Sequence, residues 1–404
     1  MSDRAEVIVG DVEAVLPVLA PGYTACFCDP PYGLSFMGKH WDHGVPDAGV
    51  WRMVCDLILP GGVLLAFGGT RTWHHLAVAI ESAGFEIADT LMWVYGSGFP
   101  KSHSLAKAID REAGALGVQS QGANYAGGDF VPRDTRFRAD YGYHYAPATP
   151  EAATWLGYGT ALKPAWEPVL MARKPRTGTY AATALRYGAG ALWTDGCLVP
   201  FAGEADEGAT KAKNRHEAFD EAPRDSHVYG ADARPRPNYQ AKGRWPANLL
   251  LDEESAAILD AQSGYSETKH TDKPSDCGGN TWGGTFQTHR GPRGHTDAGG
   301  ASRFFYCAKA SRRERDVGVP NPHPTVKPLA LCEYLARLIL PPEPYRDAAR
   351  LLVPFSGSGS EMLGALRAGW RNVTGVEREP GYATIAQARI AHWRQTYEPC
   401  GAEE

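Results

Sequence analysis

Apolar and polar positions follow one rhythm at the two ends of the chain and lose it in the middle. Near the start, Glu6–Val9 and Tyr23–Cys28 are apolar runs of strand length. The spacing predicts helices over Val12–Leu19 and Val50–Leu59. Pro60-Gly61-Gly62 is a turn signal leading into the apolar strand Val63–Phe67. A helix over Thr72–Ala83 and one or two strands over Phe85–Val94 follow. Near the end come a helix over Leu329–Leu340, a strand over Arg350–Val353 and a helix over Ser360–Ala368 stopped by Gly369. A strand over Val373–Val376 and a helix over Pro380–Trp393 complete the pattern. Alternation of this kind predicts an α/β fold, a mostly parallel sheet with helices on both faces.

Between roughly 110 and 150, 202 and 245, and 262 and 302, Gly, Asp, Thr, Arg and His dominate and apolar periodicity is weak. Strand-like islands occur at Glu167–Ala172, Ala191–Leu198, Asn248–Asp252 and Arg303–Ala308. The expected organisation is a discontinuous α/β domain from residues 1–175 and 303–404, with a loop-rich region, 176–302, inserted between its halves.

Composition narrows the class. In 404 residues, 43% are hydrophobic and 22% charged, enough apolar material for a sizeable core without disulfides. The eight cysteines are scattered and form no CxxC pair, so neither a metal centre nor a disulfide framework is expected, and a reducing cytoplasm is. No apolar run is long enough for a membrane span, and the polar start resembles no secretory signal. Net charge is −5, unevenly spread: 11 basic and 18 acidic residues give −7 over 1–170, whereas 21 and 19 give +2 over 171–320. A phosphate-bearing partner would meet that middle third.

Four segments carry candidate chemistry. Asp29-Pro30-Pro31-Tyr32 ends the Tyr23–Cys28 strand, where open α/β sheets place ligands. The prolines remove two N–H donors and leave carbonyls free to accept. An exocyclic amine could donate to Asp29 and to the Pro30 carbonyl while Tyr32 stacks on its ring. A Pro-Pro turn with an N-capping Asp is the alternative. Phe355-Ser356-Gly357-Ser358-Gly359-Ser360 follows a strand and opens a helix. Gly357 and Gly359 permit close approach of a ligand, and Glu377 ends the next strand, where an acid accepts from ribose hydroxyls. The order marks an adenosine-type cofactor site, and no GKS or GKT makes it a phosphate loop. His323-Pro324-Thr325-Val326-Lys327-Pro328 is a stiff extended segment. Its Lys327 could pair with a carboxylate and Thr325 could donate to one, or the segment could be a linker. Asp11 could accept from an adenine amino group, cap the helix after it, or both.

In this order the segments resemble the beta-class, S-adenosylmethionine-dependent amino-group DNA methyltransferases of bacteria and their phages. Asp29–Tyr32 matches the DPPY catalytic motif, His323–Pro328 the HPTxKP segment, and Phe355–Gly359 the FxGxG cofactor motif, with Glu377 as the ribose acid. Leu59–Leu64, Trp93–Lys101, Lys163–Pro168, Gly243–Asn248 and Ser302–Tyr306 are also similar to family segments, so the resemblance spans nearly the whole chain outside the long loops. Two departures stand out. Val353 precedes Pro354-Phe355 where many members have Asp, and Ser360-Glu361 follow the last glycine where many have Thr. Glu361 at a helix start is electrostatically comfortable.

The resemblance implies a catalytic set of Asp29, Pro30, Pro31 and Tyr32, and a cofactor set of Asp11, Asp29, His323, Thr325, Lys327, Phe355, Gly357, Gly359 and Glu377. It implies a Rossmann-like α/β methyltransferase sheet, S-adenosylmethionine as cofactor, double-stranded DNA as partner, and a flipped base as substrate. Adenine N6 is favoured, because DPPY goes more often with adenine and SPPY with cytosine; N4 of cytosine is the alternative. The implied target-recognition region is 176–302. There Arg176, Arg186, Lys211, Lys213, Arg215, Arg234, Arg236, Lys242, Arg290 and Arg293 are candidates for phosphate or guanine contact. Carbon-5 cytosine methylation is disfavoured: the only Pro-Cys pair is Pro399-Cys400 in the polar tail, and Cys28 alternates with Cys26 as strand packing. An inactive DNA-binding relative, a methyltransferase for RNA or protein amines and a dinucleotide oxidoreductase are the rival readings. Either a monomer or a homodimer is compatible with the sequence.

Overall fold

The computed structural model describes residues 4–34, 44–96, 98, 102–121, 143–213, 242–267, 298–308, 316, 318–323 and 326–396. The chain divides into two compact units, Tyr95–Trp166 and the remainder.

The larger unit is built on nine strands. They are β1 (Arg4–Val9), β2 (Tyr23–Cys28), β3 (Ile58–Phe67), β4 (Glu86–Val94), β7 (Trp166–Arg173), β8 (Leu249–Asp252), β11 (Tyr306–Ala308), β12 (Arg350–Pro354) and β13 (Asn372–Glu377). Their order across the sheet is β1-β13-β12-β2-β3-β7-β4-β8-β11. Strands β1, β13, β12, β2 and β3 pair in parallel, as do β4, β8 and β11, whereas β7 runs antiparallel to β3. Among the described residues this unit also holds a two-stranded ladder, β9 (Ser266–Glu267) with β10 (Ala298–Gly299).

Side chains of β2 alternate between two cores. Ala25 and Phe27 join Val63, Leu65 and the helices Leu329–Leu338 and Ser360–Ala368 on one face. Cys26 and Cys28 join Leu64, Ala66 and the helices Ala48–Leu57 and Trp73–Ser82 on the other. Helices therefore cover both faces, and the expected Rossmann-like α/β sheet is what forms. Burial pushes the Cys28 thiol well above its usual range, as packing rather than chemistry requires.

Several local expectations are corrected. Pro60-Gly61-Gly62 does not separate helix from strand but lies inside β3, where a register shift between Tyr23 and Ala25 of β2 absorbs it. Phe85–Val94 contains one strand. Ala191–Leu198 holds no strand: Asp195–Cys197 is a 3₁₀ turn, and Tyr334 Oη donates to the Cys197 carbonyl from the facing helix. Its apolar residues signal burial against a helix rather than sheet pairing. A helix at Glu253–Ser263, capped by Asp252 and Ser255, goes unmarked in the apolar pattern. Strand β8, which lies within 176–302, is hydrogen-bonded between β4 and β11 in the main sheet.

The smaller unit holds the hairpin of β5 (Val118–Gln121) and β6 (Tyr143–Ala146) with the helices Leu105–Glu112 and Pro150–Thr154. Buried Asp110 joins them, accepting from Tyr145 Oη at 2.6 Å and from the Ala148 and Thr149 backbone N–H groups.

Candidate active site

The sheet reverses its winding between β12 and β2. From β12 the chain continues to β13 on one side, and from β2 to β3 on the other. The carboxyl ends of two neighbouring parallel strands bound a crevice at such a point. Asp29 leaves the end of β2 and the Phe355–Gly359 turn leaves the end of β12, so two segments more than 300 residues apart become neighbours.

No helix begins after Asp29 within the described residues 30–34, so its carboxylate is not a helix cap. Instead Oδ1 accepts from Tyr32 Oη at 2.8 Å, and Oδ2 lies 2.8 Å from the Lys327 ammonium. Lys327 is buried. Its Nζ also reaches Tyr32 Oη at 3.0 Å and Glu167 Oε2 at 3.2 Å, and it lies over the Tyr32 and Phe67 rings. The segment His323–Pro328 thus delivers a side chain into the site and is no mere linker. Burial works against the ammonium's charge, but Asp29 and Glu167 outweigh it and hold Lys327 above its ordinary pKa. Burial, then Asp29 and Glu167, push the Tyr32 hydroxyl well above its usual range, so it stays protonated and donates. Thr72 Oγ1 fixes the Tyr32 backbone by donating to its carbonyl at 2.6 Å.

Glu167 has no place among the residues expected to act. Its signal is positional: β7 pairs Val169 with Phe67 at the carboxyl end of β3, which puts Glu167 just past that end and beside Asp29.

The glycine turn is held from three sides. Gly357 donates its N–H to Glu377 Oε2 at 2.7 Å, and Glu377 Oε1 accepts from Glu379 N–H at 2.8 Å. Arg389, fully buried on the last helix, donates through Nη1 to the Ser358 carbonyl at 2.6 Å. Asn321 donates through Nδ2 to Ser358 Oγ at 3.0 Å, and its Oδ1 accepts from His323 N–H at 3.1 Å. The His323 ring meets Tyr382 edge-on at 4.4 Å, and a methyl group on Gly357 would come within 3.1 Å of its Nε2. Phe355 takes φ +60°, in the left-handed region, with its ring 6.4 Å from that of Trp51. Gly359 also packs closely: a methyl group there would lie 2.9 Å from Ala386 Cβ. Asp11 caps its helix by accepting from Glu13 N–H at 3.0 Å, and lies 3.6 Å from Arg378 at the same sheet end as Glu377. Thr325 lies outside the described residues.

Glu361 departs from its expected comfort. The side chain is buried, and burial together with Asp29 pushes its carboxyl up to about 7. Burial likewise raises Glu377, against the backbone N–H groups of Glu379, Gly357 and Arg378.

The basic candidates are dispersed. Because β7 is inverted, Arg173 pairs with Val63, and Arg176 follows it at the end of the sheet away from Asp29. Arg186 lies on the helix Tyr180–Tyr187, whose Thr183 packs against Gly61 at that same end. Arg176 and Arg186 lie over the rings of Tyr180 and Tyr187, and Lys211 pairs with Glu207 at 2.6 Å. Lys242 is exposed. Arg215, Arg234, Arg236, Arg290, Arg293 and the side chain of Lys213 lie outside the described residues.

A carboxylate paired with a buried lysine and a glycine turn braced by a buried acid thus stand at the carboxyl ends of neighbouring strands, at the switch point of the sheet. Residues 23–388 match the DNA methylase family of the N6/N4 type, and the chain belongs to that family. It is a DNA methyltransferase. Among solved structures it is similar to M1.HpyAVI, with 13% identity over 96% of this chain and 98% of that one, and a TM-score of 0.39. It is also similar to a DNA modification methylase of Thermus thermophilus, TTHA0409, complexed with S-adenosyl-L-methionine (15%, 97% and 96%, TM-score 0.38). A third is the cytosine-N4-specific PvuII DNA methyltransferase (12%, 96% and 87%, TM-score 0.42). No curated protein matches the sequence. Among the described residues no helix is long and apolar enough to cross a membrane, and no His/Cys/Asp/Glu cluster could hold a metal ion.

Proposed function

We propose that the protein is a site-specific DNA methyltransferase that methylates the exocyclic N6 of an adenine flipped out of duplex DNA. One observation supports this above the rest: Asp29 and Tyr32 at the end of β2 adjoin the Phe355–Gly359 turn at the end of β12, its neighbour in the sheet. S-adenosylmethionine fits the donor set. Glu377 offers a buried carboxylate to ribose hydroxyls, and the turn's backbone is held open by Glu377, Arg389 and Asn321. Phe355, Gly357, Gly359, His323 and Asp11 border the adenosine end, and Asp29 and Lys327 the reacting end. When bound, the cofactor supplies a methyl group on a cationic sulfonium, whose departure as a neutral thioether needs no general acid.

The chain's own part is positioning. Asp29 and the Pro30 carbonyl accept the two amine hydrogens, which localises the nitrogen lone pair toward the methyl group. The face of Tyr32 supports the base, and Pro31 keeps the turn rigid. Asp29 or solvent takes the proton released after transfer. Residues 176–302 carry target recognition, and the enzyme acts as a monomer or a homodimer in the cytoplasm of a bacterial or phage-infected cell.

The test is methyl transfer to unmethylated duplex DNA, read by nucleoside mass spectrometry. N6-methyladenine is expected, and Asp29→Ala should abolish it while leaving cofactor binding in place. N4-methylcytosine would overturn the base assignment and keep the amine-holding site. Cofactor binding without any methylated nucleoside would overturn the DNA reading.

A further inference from the structure

The Lys327 ammonium has two carboxylates, and only one of them belongs to the catalytic motif. Nζ lies 2.8 Å from Asp29 Oδ2 and 3.2 Å from Glu167 Oε2. Tyr32 Oη stands between the same two acids, 2.8 Å from Asp29 and 3.2 Å from Glu167. In this arrangement both Asp29 oxygens are engaged by strong donors. A carboxylate holding a full ammonium is a poorer acceptor for a neutral amine, because the cation has already drawn on its charge. The base amine therefore requires Lys327 to loosen from Asp29. An ammonium buried as deeply as Lys327 cannot simply be released: left without a counter-ion, it would carry a severe desolvation penalty.

We propose that Glu167 is a positioning residue, a second counter-ion that takes the Lys327 ammonium when Asp29 turns to the target amine. This deepens the function proposed above and rests on it. The geometry suits an exchange, since a small rotation of the lysine end group shortens one contact as it lengthens the other. Glu167 is placed for this by β7 alone, whose antiparallel course brings its first residues to the end of the sheet where Asp29 lies. Among the described residues Glu361 is a further acid near Asp29 and Lys327, but it is buried in the first turn of its helix. Glu167 is the more exposed partner, with 23% of its side chain accessible against 16% for Asp29, and can follow a moving lysine.

The experiment compares the unsubstituted enzyme with Glu167→Gln, Glu167→Asp, Lys327→Met and the double variant Glu167→Gln/Lys327→Met. The single-turnover rate of methyl transfer to duplex DNA, the KM for DNA and the affinity for S-adenosylmethionine by calorimetry are measured, with folding checked by thermal melting. Glu167→Gln should lower the transfer rate by about tenfold or more. Its cofactor affinity and KM should change by no more than about twofold, the mark of an interaction strengthened only at the reacting stage. Glu167→Asp should recover part of the rate. In the Lys327→Met background the further loss from Glu167→Gln should vanish, because its work passes through the ammonium. A Glu167→Gln enzyme as fast as the unsubstituted one, or one equally slowed with and without Lys327, overturns the inference. No transfer by the unsubstituted enzyme overturns the methyltransferase reading, and this inference with it.

Discussion

Gly357 and Glu377 are joined by a 2.7 Å hydrogen bond from the backbone N–H of the glycine to Oε2 of the acid. The residue expected to hold the ribose therefore also shapes the turn that approaches it. Glu377→Ala should strip an acceptor from the Gly357 and Glu379 backbone N–H groups, each hydrogen bond worth about 1.5–3 kcal/mol when made to a charged group. Cofactor affinity should fall by about tenfold or more, and thermal melting should shift down in the same variant. Calorimetry and a melt, run on one preparation, separate this dual role from ribose contact alone, which would spare the melt.

Phe355 holds a left-handed backbone without being glycine, at φ +60°. Its ring, against Trp51, stabilises what its backbone strains. Phe355→Ala should lose the ring and keep the strain, whereas Phe355→Gly loses both. The glycine variant should be the more stable by about 1 kcal/mol, the reverse of their usual order in regular structure. Denaturant unfolding of the two variants reads the difference directly.

Gly364 lies inside the helix Ser360–Ala368, where alanine is ordinarily preferred by about 1 kcal/mol. Here a methyl group would lie 2.4 Å from Cys332 Cβ and 2.6 Å from the Cys332 carbonyl carbon on the helix Leu329–Leu338. Gly364→Ala should therefore destabilise the protein, by about 1–3 kcal/mol, through forced separation of the two helices. Equal or higher stability on denaturant unfolding would show that the helices yield.

The buried Glu361 carboxyl sits at about 7 in the folded protein, against 4.5 for a free glutamate. Folding thus favours its protonated form. Its contribution to stability is complete below about 4.5 and is lost as pH rises through 7. Glu361→Gln removes that loss. From pH 4.5 to 7 the variant should gain on the unsubstituted protein by on the order of 3 kcal/mol. Urea unfolding across this window checks it, and parallel pH profiles for the two proteins would refute it.

The parallel core was legible because apolar runs of strand length, glycine stops and helical spacing coincide in Tyr23–Cys28, Arg350–Val353 and Ser360–Ala368. The inverted strand β7 was not. Trp166–Arg173 has the same apolar look as a parallel strand, and nothing local encodes direction. Glu167 was missed for that reason, since its role exists only once an antiparallel partner sets it beside Tyr32, a residue 135 positions earlier. Lys327 was half visible: its charge foretold a carboxylate partner, but not that one ammonium would serve two. Arg389 gave no sign at all, because a lone arginine on a helix reads as solvated until the turn it supports is folded beneath it. Arg176 and Arg186 show the converse, since charge in the middle of the chain carries no information about which end of the sheet it will occupy.

The strand order has a consequence for synthesis. β1 and β2 leave the ribosome well before β12 and β13, yet β12 and β13 fill the gap between them in the finished sheet. Until β12 and β13 emerge, β1 and β2 therefore have no neighbour on their facing edges, and the pocket has only one wall. Long-range pairing of this kind slows folding and leaves strand edges open to other chains. A nascent chain halted before residue 350 would carry Asp29 and Tyr32 complete in covalent structure, with nothing for them to face.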